Sequence, residues 1–243
     1  MIPIPDIRQV PQRLPIIKTA LLAAWRPQGH ASPENDPGSL ITLLETFFAT
    51  LAELDARYGQ NAPLPDGDAT RLGDGGLLVL MELTNLSQQL GLPKVKADIE
   101  LLAVSVSDWI IRHAGEIRTL EPIVNGLAVV ANELREPPSL EEMAAFMGRV
   151  IKATEAATAN DLDRSDATRP WRVLHINRAI VATRSYNTEL MASVFDELIQ
   201  ALPDDAQEFF REGMRQMEVV DYPARVRTVM GHYFQALTQH SLH

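Results

Sequence analysis

The sequence predicts an all-α protein of about eight or nine helices, packed as antiparallel hairpins in a helical bundle or a short α-solenoid. Three observations support this fold class. Apolar residues recur every three to four positions over most of the 243 residues. Prolines and N-capping residues stand where these apolar stripes begin, and glycines stand where several of them end. No segment combines strict apolar and polar alternation with hairpin turns, which is the pattern typical of strands.

The beginning of the chain is rich in proline. Seven of the 16 prolines lie within the first 37 residues, and proline lacks an N–H group and disfavours helix in the residue before it. We therefore expect a Pro-rich N-terminal arm over residues 1–38. Residues 1–13 are expected to be extended, residues 14–25 to form a short helix and residues 26–38 to form a loop. The remaining residues, 39–243, are expected to form a single all-α domain.

The arm carries apolar residues at roughly alternate positions, namely Ile2, Ile4, Ile7 and Val10. A segment that remains free in water has little use for such residues, so we expect the arm to dock on this chain or on another one. These four residues are candidate contacts with a protein partner. Self-association of two copies through the arm is the simplest form of that hypothesis.

Capping residues and glycines predict where the later helices begin and end. Ser39 is expected to cap a helix that ends at Gly59, and the glycine-rich stretch 59–76 is expected to be a long loop. Ser139 and Glu142 have the spacing of a capping box. The helices after the second are expected to begin near Leu77, Pro93, Pro122, Ser139, Pro170, Thr188, Pro203 and Pro223.

The distribution of charge suggests a subdivision and excludes some partners. Residues 1–168 carry 14 Lys and Arg against 23 Asp and Glu, and residues 169–243 carry 8 against 9, so the polar stretch 161–168 is a candidate linker. The net charge of −10 argues against a phosphate-binding surface for nucleic acid and against an anionic membrane surface. A helix-turn-helix near the C-terminus, with Arg225 and Arg227, is the weaker alternative.

The residue types and spacings that most catalytic and metal sites require are missing. The chain has no cysteine, which excludes disulfides, thiol catalysis and Cys-ligated zinc, and which fits a reducing cytoplasm. None of the six histidines stands in an H-E-x-x-H motif, and the sequence has no nucleophile elbow. No apolar run reaches the roughly 18 residues of a membrane span. We therefore predict a cytoplasmic protein with no cofactor, no metal and no catalytic residue.

One group of basic residues is a candidate binding site. Arg172, His175 and Arg178 recur at three-residue steps, so that they share one side of a helix, and Arg184 follows near its end. Such a group could hold an anionic ligand or an acidic segment of a partner. The alternative is a solvated helix face that pairs with the aspartates of the 161–168 stretch.

Two functions from different classes remain open. The first is a non-enzymatic helical interaction or scaffold protein, because helix-rich domains commonly bind partners by packing a helix into a groove. The second is a small-molecule-binding protein or enzyme with an apolar internal pocket, in which the Arg and His residues supply the polar groups. Basic side chains that point into a pocket lined by Met and Phe would favour the second function.

Overall fold

The computed structural model of the chain describes residues 4, 6–25, 36–158 and 169–240. These residues form ten α-helices and two short 3-10 helices and contain no strand, so the predicted all-α class is confirmed. Most consecutive helices of the described residues pack against each other, as expected for helical hairpins. The number of helices is close to the predicted eight or nine.

The described residues divide into two compact units. The N-terminal unit comprises residues 4–132 and 152–158, and the C-terminal unit comprises residues 133–151 and 169–240. The helices of the first part of the chain are α1 (Leu14–Trp25), α2 (Pro37–Tyr58), α3 (Asp68–Gln89), α4 (Pro93–Arg112) and α5 (Glu121–Glu133). The later helices are α6 (Pro137–Thr158), α7 (Pro170–Arg184), α8 (Thr188–Ala201), α9 (Pro203–Val219) and α10 (Ala224–His240). The candidate linker, residues 161–168, lies outside the described residues.

The middle of helix α4 is buried on all sides within the N-terminal unit. The six consecutive residues 102–107 are buried, and the helix packs against α1 and α3. Its two central serines donate hydrogen bonds to backbone carbonyls of their own helix, Ser107 to Val104 at 2.7 Å and Ser105 to Leu101 at 3.3 Å. Because these hydroxyl groups are satisfied locally, this part of the helix can lie inside the core.

Residues 7–12 and 14–25 of the N-terminal arm are helical and packed, so the prediction of an extended segment up to residue 13 is wrong from residue 7 onward. Residues 1–3 and 5, and residues 26–35 of the predicted loop, lie outside the described residues. A 3-10 helix, Ile7–Gln12, precedes α1 and packs against α1, α2 and α4. Ile7 and Val10 are buried in this core, which is the reason for the alternating apolar pattern. Ile4 is half-buried, and Ile2 lies outside the described residues. Contact of these four residues with a partner stays a prediction, and Val10 has no exposed surface in this conformation.

The prediction of a long loop over residues 59–76 is wrong in its second half, because α3 already includes that part. Gly73 and Gly76 lie where α3 meets other helices. A Cβ atom on Gly73 would overlap the side chain of Ile110, and one on Gly76 would overlap the ring of Phe47. The glycines therefore serve close helix packing, which outweighs their low helix propensity.

Two predicted N-caps are also displaced. Helix α2 begins at Pro37, and the carboxylate of Asp36 accepts a hydrogen bond from the backbone N–H of Ser39 at 2.8 Å. Helix α6 begins at Pro137, two residues before Ser139. Proline is preorganised for the first position of a helix, so both helices start earlier than the serines suggested.

Helices α7 to α10, which belong to the C-terminal unit, begin close to the predicted starting points. Three aromatic rings join α8, α9 and α10: the ring of Phe195 lies 4.9 Å from that of Phe210 and 5.3 Å from that of Tyr233. The Tyr233 hydroxyl donates a hydrogen bond to Asp196 at 2.7 Å. Burial, together with this carboxylate, raises the pKa of Tyr233 to about 12. These contacts hold the three helices as one packed group.

Helix α5 approaches α4 closely at Gly126, and this contact is testable. A Cβ atom on Gly126 would overlap the backbone oxygen of Glu100, whereas one on Gly75 in α3 meets no atom within 4 Å. We predict that Gly126→Ala lowers the free energy of unfolding by about 1–3 kcal/mol, because the two backbones must separate. Gly75→Ala should raise it by about 0.5–1 kcal/mol. Urea denaturation followed by circular dichroism measures both, and equal effects would contradict the close packing.

Candidate functional site

A groove of about 610 Å³ lies on the C-terminal unit between α7 and α9. Each helix contributes one face to a wall of the groove. The α7 wall consists of Arg172, Ile176, Ile180 and Thr183. The α9 wall consists of Asp205, Glu208, Phe209, Glu212, Gly213, Gln216 and Met217. Tyr222, which follows α9, and Met230 from α10 complete the lining.

The groove follows both helices for about three turns. On α7 the lining runs from Arg172 to Thr183, and at 1.5 Å per residue this corresponds to about 16 Å. The lining residues recur every three or four positions, which is the spacing of one helix face. The groove is therefore long enough to hold about three turns of another helix.

The α9 wall separates into an apolar row and a polar row. Phe209 and Met217 form the apolar row, and between them a Cβ atom on Gly213 would lie 2.7 Å from the sulfur of Met230. The glycine thus leaves room for a methionine from α10. Along the edge of the same helix, Glu208 and Glu212 are exposed. The groove consequently has an apolar floor and a rim of carboxylates.

An ion pair joins α7 and α9 at one end of the groove. The Arg172 guanidinium donates two hydrogen bonds to the Asp205 carboxylate, from Nε at 2.8 Å and from Nη2 at 2.5 Å. Both side chains are largely buried, and the hydrogen bonds from Arg172 lower the pKa of Asp205 below its usual value. An anionic ligand would have to compete with Asp205 for Arg172.

Arg178 is buried and holds other parts of the C-terminal unit together. Its Nε donates a hydrogen bond to the backbone oxygen of Ala144 on α6 at 3.0 Å, and its guanidinium pairs with Glu197 on α8. Gly148 makes room for it, since a Cβ atom there would lie 2.8 Å from Nη2 of Arg178. This arginine therefore connects α6, α7 and α8.

His175 and Arg184 have separate surroundings. The His175 ring is buried with its edge against Trp171 at 4.6 Å between centroids, and its Nε2 has no hydrogen-bond partner among the described residues. Burial, and then the positive charge of Arg178, lowers the pKa of His175 to about 4, so the ring is neutral at pH 7. Arg184 donates a hydrogen bond to the backbone oxygen of Leu134 at 2.7 Å.

The four basic residues that the spacing grouped together thus occupy four different environments. Residues three apart on a helix are rotated by about 60°, and Arg172 and Arg178 are rotated by about 120°, so they face different neighbours. Of the four, Arg172 lines the groove. Binding of an anion or of an acidic partner to the group stays a prediction.

The sequence reasoning missed the groove because its apolar residues have the spacing of a core stripe. Phe209, Met217 and Met230 follow the three-to-four periodicity of core residues, and Met217 and Met230 are themselves buried beneath the groove. The signal that could have found the groove is the stripe of carboxylates at 205, 208 and 212, which follows one edge of α9.

The N-terminal unit contains a buried polar cluster that sequence reasoning also missed. Asp55 on α2 accepts hydrogen bonds from Trp109 Nε1 at 2.8 Å and from His113 Nε2 at 2.9 Å, and Nδ1 of His113 lies 2.7 Å from the backbone oxygen of Ala62. Both ring nitrogens of His113 therefore face oxygen atoms. The cluster ties the ends of α2 and α4 to the segment that follows α2, which is a structural role.

The described part of the chain contains neither a metal-binding group nor a membrane-spanning helix. It holds no group of three or more His, Asp and Glu side chains arranged to bind a metal ion. None of its helices is both long enough and apolar enough to cross a membrane. Comparisons with protein-family models, with curated proteins and with solved structures find no match to this chain.

The polar cluster predicts a large effect of one substitution. Asp55→Ala leaves the Trp109 N–H and the His113 ring without their common acceptor inside the core, so the free energy of unfolding should fall by about 3–5 kcal/mol. The control, Arg118→Ala, removes one member of an exposed pair with Glu116 and should change stability by less than about 0.5 kcal/mol. Chemical denaturation measures both, and a fully stable Asp55→Ala variant would contradict the role of the cluster.

Burial of His175 predicts a pH-dependent contribution to stability. Below pH 6.5 the unfolded chain binds a proton at this residue, whereas the folded protein does not until its lowered pKa of about 4 is reached. Stability should therefore fall by about 3 kcal/mol as the pH falls through this window. In His175→Phe this part of the loss should disappear, and in the exposed control His232→Asn it should remain. Denaturation midpoints between pH 4 and 7 test this, and identical profiles for all three proteins would refute it.

Proposed function

We propose that this chain is a non-enzymatic helical interaction protein that binds an apolar helical segment of a partner protein in the groove between α7 and α9. The observation that supports the proposal is the open, three-turn groove with an apolar floor and a polar rim. Helix-in-groove recognition uses this arrangement, with anchor residues at every third or fourth position of the bound helix.

The apolar side chains of the groove are suited to close contact with the apolar face of a partner helix. Met217 and Met230 are buried at the floor of the groove, and their flexible, polarisable side chains suit contact with an apolar side chain of a partner. Ile180 on the α7 wall is 44% exposed. Covering this apolar surface with a partner removes it from water, which favours association.

The remaining expectations belong to the same proposal. The lack of cysteine supports a cytoplasmic location. The net charge of −10 disfavours nucleic acid and anionic membranes as partners, and so supports a protein partner. The partner is a different protein or a second copy of this chain. In the second case the complex is a homodimer.

A second candidate function has one observation in its favour. The volume of about 610 Å³ lies within the range of small-molecule sites, and Arg172 supplies a polar group at one end. A small apolar ligand with an acidic group would then bind at that end of the groove, in competition with Asp205.

Selection from a library of 16-residue peptides on the immobilised full-length protein tests the proposal. We expect the selected peptides to carry apolar residues at helical spacing. The variant Ile180→Glu should weaken their binding at least about tenfold, because it buries a charge in the interface. Leu78→Glu is the matched control, since Leu78 is also 44% exposed but lies on α3 in the other unit.

Each outcome of this selection is informative. Peptides that bind the Ile180→Glu variant as tightly as the wild type would refute the groove as the binding site. A wild-type protein that sediments as a dimer and an Ile180→Glu variant that sediments as a monomer would identify the occupant as a second copy. Failure to select any peptide, combined with binding of small acidic ligands that is lost in Arg172→Ala, would favour the second candidate.

A further inference from the structure

We infer that the groove selects a basic amphipathic helix, with Lys or Arg residues one turn apart beside its apolar anchors. This inference rests on the proposed function and adds the charge of the partner to it. The residues that determine this preference are Glu208 and Glu212 on the rim of α9.

Negative side chains outnumber positive ones in the lining of the groove. Asp205, Glu208 and Glu212 are negative, and Arg172 is positive. Asp205 is already engaged by Arg172 at the end of the groove. The two glutamates face a stretch of the α7 wall that consists of Ile176, Ile180 and Thr183 and carries no charge. A cation that lies along this stretch meets two carboxylates, whereas an anion is repelled by them.

The present partners of the two glutamates leave them available to a bound cation. Glu208 pairs with Arg211 and Glu212 with Arg215, each three residues further along α9. Glu212 also accepts a hydrogen bond from Nε2 of Gln216 at 2.8 Å, within the same exposed edge of the helix. Neither arginine lines the groove, and both pairs are exposed to solvent. Exposed pairs of this kind contribute little to stability, so an incoming cation exchanges with or joins them at small cost.

The geometry also determines the pattern of the partner. Glu208 and Glu212 are four residues apart, so they lie about 6 Å apart along the axis of α9. Two cations that face them from a helix in the groove must lie three or four residues apart. The apolar anchors of the same helix then contact Phe209 and Met217, which lie beside the glutamates on the floor.

Three synthetic 14-residue peptides test the inference. They share one pattern of leucines at helical spacing, have blocked termini, and carry Lys, Gln or Glu at the two positions next to the leucine face. Their binding to the full-length protein is measured by fluorescence anisotropy at low and high salt. We expect the Lys peptide to bind about tenfold more tightly than the Gln peptide, the Glu peptide to bind more weakly than both, and the difference to shrink in high salt.

Two double variants locate the effect on the protein. Glu208→Gln with Glu212→Gln should reduce the affinity for the Lys peptide to that for the Gln peptide and leave the Gln peptide unaffected. Glu189→Gln with Glu218→Gln is the matched control, because it removes the same charge from two exposed carboxylates that do not line the groove. This control should leave both affinities nearly unchanged.

The outcomes separate the inference from the proposed function. Equal binding of the Lys and Gln peptides, both weakened by Ile180→Glu, would overturn the inference and leave the groove as a helix-binding site. An equal loss in both double variants would also overturn it, since the attraction would then come from the net charge of the protein. If no peptide binds but dodecyltrimethylammonium does, both the inference and the proposed function fail.

Discussion

The aromatic packing of Phe195, Phe210 and Tyr233 is the interaction on which the groove depends. It holds α8, α9 and α10 together, and α8 also packs against α7. Helices α7 and α9 are thus both anchored on α8, and a gap remains between their outer faces. The Arg172–Asp205 pair bridges the gap at one end, so the groove is held open as a defined shape rather than collapsing.

The buried charged residues have structural roles, whereas the exposed charged residues at the groove are free to take part in binding. Arg178 and the Asp55–His113 pair are buried, and each is satisfied by carbonyls or carboxylates of the same unit. A buried charge without such partners would cost several kcal/mol, so these residues have no freedom to bind anything else. The rim glutamates stay in water beside an apolar floor, where an incoming charge can change their pairing.

Local sequence signals predicted most of the fold, and the errors of the prediction have identifiable causes. The predicted helix over residues 14–25 coincides with α1, and Pro170 and Pro203 begin their helices as proline at a first turn should. The prediction of a loop over residues 59–76 failed because Gly73 and Gly76 serve close packing against side chains from distant parts of the chain. No local sequence pattern reports such contacts. The prediction of an extended arm failed for the same reason, since burial of Val10 requires α2 and α4 to be in place.

The sequence by itself determined the helical class, the positions of most helices and the surplus of negative charge, because these depend on residue spacing and composition alone. Tertiary structure decided which apolar stripe is core and which is groove, since Phe209 and Leu198 have the same periodicity but different neighbours. It also dispersed the basic group of α7, because the rotation of a helix brings Arg172 to α9 and Arg178 to α6 and α8. Spacing assigns residues to a helix face, and only the packing of the other helices decides what that face meets.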